Sequence, residues 1–186
     1  MFTNNLESIF PYVVPASWVG HAGSDSLISW GVSSDVFIVL VFDGNGTVRN
    51  VRPEDLLEMR LDEGEAFQIA AHNLAKAWHA GKIDIGIATL LDGTKIGCAR
   101  RSWMAPAAAM ILGDFHSTLA EQFGGTDFVA VAVNQECLFA FSIDETILRS
   151  ESLRLAIDDE FNGHRKPISR QLNGEWPQQY SGQQLF

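Results

Sequence analysis

Two stretches, "IDIGIATLLDGTKIGCARR" over 83–101 and "DFVAVAVNQECLFAFSI" over 127–143, constrain the fold more than any other part of the chain. Each consists of two β-rich apolar runs joined by a short polar turn, Asp92-Gly93 in the first, and that pattern specifies a β-hairpin. Single amphipathic helices are expected between and around them. "LDEGEAFQIAAHNLAKAWHAG" has Asp62 as N-cap, Glu65 in the capping-box position and Gly81 as the stop. Its Phe67, Ala70, Ala71, Leu74, Ala77 and Trp78 form one apolar stripe. A second helix is expected over about 104–123, with Pro106 in its first turn and Ala107, Ala108, Ile111, Phe115 and Leu119 on its inner side. A third, over about 147–162, buries Leu153, Ile157 and Phe161. Hairpins alternating with single helices imply an α+β fold, a mainly antiparallel sheet with about three packed helices.

Upstream, the continuous apolar run Val36–Phe42 predicts a strand covered on both faces, preceded by a short strand near 26–31. "TVRNV" can pair back on it, and Pro53 opens a brief helical turn through Glu58. Residues 1–25 hold Pro11, Pro15 and two glycines around His21, and are expected to form an irregular N-terminal arm docked through Phe2, Phe10, Tyr12 and Trp18. Residues 165–186 read as a polar C-terminal tail anchored by Trp176, which leaves 26–164 as one α+β domain. At 186 residues the chain is long enough to bury a core without disulfide staples.

The net charge of −10 repels phosphate backbones, so nucleic acid is not an expected partner, and it would steer a basic protein toward the surface. No apolar run approaches bilayer length, and no Lys or Arg precedes Arg49, so a secretory leader's positive region is missing. A cytoplasmic protein without membrane contact is expected. Cys98 and Cys137 each lie in an apolar run, which favours a buried, unbridged thiol.

"DGNGTVRNVRPE" (43–54) has the oxygen spacing of a calcium loop, yet Val48 occupies the position that needs glycine and the preceding flank is a strand. A tight hairpin turn explains it better. His72 and His79 share a helix but lie roughly 10 Å apart along it, too far for one metal. No nucleophile elbow, phosphate loop or dinucleotide fingerprint is present, and neither metal nor cofactor is expected. Two acidic groups stand out: Glu54, Asp55, Glu58, Asp62, Glu63 and Glu65 around Arg60, and Asp158, Asp159 and Glu160. Part of the first is helix-start chemistry, and most charge runs are solvated faces. "NGHRKPISR" gathers Arg165, Lys166 and Arg170 into a positive spot too slight for nucleic acid.

Arg49, Val51, Glu54, Asp55 and Leu56, then Ala70, Asn73 and Leu74, are followed by the hairpin "GGTDFVAVAVNQECLFAF" and the segment "PISRQLNGEW". In these features residues 35–176 resemble the YtpQ-type bacterial family of unknown function. Where that family's later hairpin turns through a Pro-x-Arg-Asp-like sequence, this chain has Val133-Asn134-Gln135-Glu136. The resemblance implies the order of elements and a bacterial cytosolic setting, and it brings no catalytic residues.

The leading expectation is a non-catalytic protein-binding module, of the immunity or toxin-inhibitor kind, whose nine acidic residues named above receive a basic toxin or effector. The alternative is a small enzyme or small-ligand-binding protein with a site assembled from distant residues, drawn from His21, Asp25, Cys98, Arg100, Arg101 and His116. A homodimer subunit is a third possibility.

Overall fold

The computed structural model describes residues 5–22, 26–44, 47–100, 106–125, 128–142, 149–163 and 168. They form two four-stranded antiparallel sheets with helices packed on them, an α+β architecture. Sheet 1 comprises β1 (Ile9–Pro15), β2 (Ser29–Gly31), β3 (Val36–Gly44) and β4 (Thr47–Asn50). β1 runs along all of Val36–Phe42 on one side of β3, whereas β2 and β4 follow one another along the other side. Leu40 joins them: its N–H donates to Ile28 O at 3.1 Å, and its carbonyl accepts from Val51 N–H at 2.9 Å. Sheet 2 comprises β5 (Asp84–Thr89), β6 (Lys95–Arg100), β7 (Phe128–Asn134) and β8 (Cys137–Ser142), in the order β5-β6-β8-β7.

The expected N-terminal arm is instead an integral strand, β1, followed at once by α1 (Ala16–Ala22). The prolines that suggest a loop sit where a strand tolerates them. Ala16 N–H donates toward β3, to Asp35 O, so even-numbered residues of β1 face their partner strand and odd-numbered ones face the open edge. Pro11 and Pro15 are odd, and the N–H each lacks is one the ladder does not use. Burial drives the pairing. Ile9, Val13 and Val14 are at most 2% exposed, and each such side chain contributes about 1.5–3 kcal/mol on burial. That offsets a backbone ordering cost of about 1–2 kcal/mol per residue.

Helix α2 (Pro53–Met59) leads into α3 (Glu63–His79), where the Asp62/Glu65 capping box forms as read from the sequence. Ala66, Ala70, Asn73, Leu74 and Ala77 make its buried stripe, and the small alanines let it lie close to the inner face of sheet 1, against Ile9, Leu40 and Phe42. Asn73 was not expected there. Its Nδ2 donates to Leu6 O at 2.7 Å and Ile9 O at 3.0 Å, which satisfies a carbonyl on the open edge of β1.

The second expected helix is broken in two, a 3-10 helix over Pro106–Ile111 and α4 over Gly113–Phe123, with extended Leu112 between them. Ala107, Ala108 and Ala109 are wholly buried, so the tighter helix wedges three small side chains into the layer between the sheets. Phe115 and Leu119 of α4 complete that layer with Val13, Ile38, Ala99, Leu138 and Ala140. A Cβ on Gly97 would meet Leu119 Cδ2 at 2.5 Å, so β6 needs glycine there for α4 to approach.

The last helix, α5, spans Glu151–Gly163. It covers the outer face of sheet 2, where Leu153 and Ile157 pack with Val129, Val131, Phe139 and Phe141. Among the described residues no helix is long and apolar enough to cross a membrane. Trp176, Arg165, Lys166 and Arg170 lie outside the described residues; of the expected tail only Ile168 is placed, its N–H donating to Val133 O at 2.9 Å.

Candidate functional site

Alternation along β1 and β3 sends Phe10, Tyr12 and Val14 to the outer face of sheet 1 with Phe37, Val39 and Val41. The register of β4 adds Val48 beside Asp43 and Asn50 beside Val41. Among the described residues α1 packs on this face through one buried side chain, Val19, with Leu27 and Ala77 of α3 in the same cluster. The result is an open cleft of about 720 Å3. Tyr12, Val14, Val39, Val41 and Val48 form its floor; Ser17, Trp18 and His21 of α1 make one wall, and Gln135 and Glu136 of the β7–β8 turn also line it. At its margin Trp18 and Val48 are 37% and 51% exposed.

Polar groups are placed at the margins. Tyr12 Oη donates to Asp43 Oδ2 at 2.9 Å across the strand pair. Burial, reinforced by the Asp43 carboxylate, drives the Tyr12 hydroxyl well above its ordinary pKa, so it stays a donor. His21 Nδ1 donates to Ser17 O within α1, which leaves Nε2 of the neutral ring as an acceptor. Arg49 is fixed: its guanidinium stacks 4.2 Å from the Phe42 ring centroid and bonds Asp55 through two nitrogens at 2.7 and 3.0 Å. Burial acts to raise the Asp55 carboxyl, but the Arg49 and Arg52 N–H donors and their charges outweigh it and hold it below its ordinary value.

No family model, curated protein or solved structure matches the chain.

None of the nine acidic residues singled out from the sequence lines the cleft. Asp55 is committed to Arg49, and Asp62 and Glu65 cap α3, with Asp62 N–H donating to Glu65 Oε2 at 2.9 Å and Glu65 N–H to Asp62 Oδ1 at 2.7 Å. Glu54, Glu58 and Glu63 are exposed on α2 and the first turn of α3. Asp158, Asp159 and Glu160 sit apart from them on α5, where Asp159 is exposed and the other two are half-buried.

The six residues of the alternative site are spread over different layers. His21 lines the cleft, Cys98 is buried beneath α5, and His116 on α4 donates from Nε2 to Met110 O at 3.0 Å. Asp25 and Arg101 lie outside the described residues, and Arg100 is described only as backbone of β6. Cys98 and Cys137 share the outer face of sheet 2 two register positions apart and are not bridged. Among the described residues no group of three or more His, Cys, Asp or Glu could hold a metal.

The cleft residues escape a linear reading because the floor is assembled from three strands. The available signals were Tyr12 and Trp18, which stand out as spare aromatics, and Val48, an apolar residue within an otherwise polar run.

Proposed function

We propose that the protein is a non-catalytic binding module that receives a protein partner in the cleft on the outer face of sheet 1. The observation that carries this reading is the cleft lined by Tyr12, Val14, Val39 and Val41, at whose mouth the apolar side chains of Val48 and Trp18 are exposed. An apolar floor with an aromatic at its margin and polar groups around it is the composition of a recognition hot spot. Charge adds direction: a net −10, with Glu54, Glu58 and Glu63 exposed, accelerates encounter with a basic partner. The finer form of this reading is an immunity-type inhibitor that occupies and neutralises a basic toxin or effector.

The test is co-expression with proteins encoded beside its gene and recovery of a complex. Val48→Asp places a carboxylate on the floor at an exposed position, so it abolishes the complex while the fold persists. Charge reversal at Glu54, Glu58 and Glu63 slows association and flattens its salt dependence. A complex indifferent to Val48→Asp would remove the cleft from the account.

A small-ligand site in the same cleft is the second reading, favoured by its volume, which falls in the range of small-molecule pockets, roughly 300–1,000 Å3. A thermal-shift screen with metabolites separates the two, because a ligand of the native state raises the melting temperature.

A further inference from the structure

Each sheet edge has to dispose of its outward N–H and C=O groups, and β1, β2 and β7 do so visibly. β1 uses Pro11, Pro15 and the Asn73 amide on Ile9 O. β2 is only three residues long, and on β7 the Val133 carbonyl accepts from Ile168 N–H. Such devices prevent strands from recruiting other strands.

β5 has none of them. Its sequence, "DIGIAT", contains no proline and no lysine, and its one strand partner is β6. Leu90 N–H donates to Thr94 O, so even-numbered residues face β6, and the N–H and C=O of Ile85, Ile87 and Thr89 point outward. No hydrogen bond reaches these three outward edges among the described residues. Ile87 is 36% exposed and Leu91, just past the strand, is wholly exposed.

We infer that β5 is a self-association edge, at which a second copy of this chain adds its own β5 antiparallel across a two-fold axis at Ile87. The outward residues of the strand are symmetric about Ile87, so in that register they pair among themselves. Ile87 pairs with Ile87 of the second copy, and Ile85 with its Thr89, all of them residues with outward N–H and C=O groups. About six intermolecular hydrogen bonds result, two for each of three such pairs. The same register sets the exposed Ile87 side chain beside its own symmetry mate. The two sheets 2 become one continuous eight-stranded sheet, with the sheet 1 cleft of each copy left outside the contact. This inference is independent of what the cleft binds.

The test is light-scattering mass and amide hydrogen exchange over a concentration series. The wild-type protein shifts from 20.5 kDa toward twice that mass as concentration rises, and the Ile85, Ile87 and Thr89 amides become slower to exchange in step. Ile87→Pro removes one outward donor and no bond to β6, and Ile87→Lys places a charge on the axis; both stay at the monomer mass with an unchanged far-ultraviolet spectrum. A wild-type protein that remains a monomer throughout would overturn the inference. So would a dimer that survives both substitutions. Slow exchange at these amides in a monomer would equally overturn it, by showing that another segment of the chain covers the edge.

Discussion

The outer face of sheet 2 is closed by α5, whose Leu153 and Ile157 are each about 1% exposed against Val129, Val131, Phe139 and Phe141. On the outer face of sheet 1 Val14, Val39 and Val41 are buried with Val19 of the seven-residue α1, Leu27 and Ala77, but Val48 and Trp18 at the margin are 51% and 37% exposed. Both faces are apolar, and both descend from strands that alternate or run on in hydrophobic residues. What differs is the length of helix available to cover them. The thirteen-residue α5 becomes core with its sheet, whereas beside the two turns of α1 a cleft opens at Val48 and Trp18. Stability is concentrated on the first face, and recognition is proposed on the second.

Substitutions can break this contrast, and the largest effect is expected on the sealed face. Phe139→Ala removes a wholly buried ring beneath α5 and costs about 3–5 kcal/mol in denaturant unfolding. Asn73→Ala should come next, at about 1–3 kcal/mol, because it takes the side-chain donor from Ile9 O on the edge of β1 and leaves Leu6 O with the Ile9 N–H alone. Trp18→Ala, on the open face, is expected within about 0.5 kcal/mol of wild type. A Trp18 effect as large as that of Phe139 would show that the two faces are equally sealed.

The seal itself has a pH-sensitive latch. Ser150 Oγ donates to Asp92 Oδ2 at 2.6 Å and accepts from Leu153 N–H at 3.0 Å, which hooks the β5–β6 turn to the start of α5. The Ser150 hydroxyl, with the Thr94 N–H, lowers the Asp92 carboxyl to about 2. A depressed folded-state pKa stabilises above the unfolded value of about 3.9. That contribution is complete above pH 4 or so and disappears as pH falls through about 2. Unfolding of wild type and Asp92→Asn across this window should therefore converge at the acid end. A gap that stays constant with pH would assign the difference to something other than ionisation.

Much of this fold is legible in the sequence because local signals agree with tertiary demands. The Asp62/Glu65 box, the Asp92-Gly93 turn and the stripe of α3 all form where their chemistry places them. β1 is hidden because Pro11 and Pro15 break the period that marks a strand, and their compatibility depends on being at an edge, which only the assembled sheet reveals. The break at Leu112 is hidden for a related reason: the alanine run by itself favours an α-helix, and packing between the sheets overrides that preference for the tighter form. The acidic clusters were visible, but half of the first is consumed by caps and by Arg49. The cleft is the least legible part, since its floor comes from β1, β3 and β4 and its walls from α1 and a distant turn.

The central claim is that the open face of sheet 1 is the binding surface, and a nuclear magnetic resonance titration with the co-purified partner tests it most directly. Shifts concentrated at the amides of Tyr12, Val39, Val41, Val48 and the Trp18 indole, with α5 undisturbed, are the predicted result. Shifts gathered on α5 or on sheet 2, with those five positions silent, would contradict it.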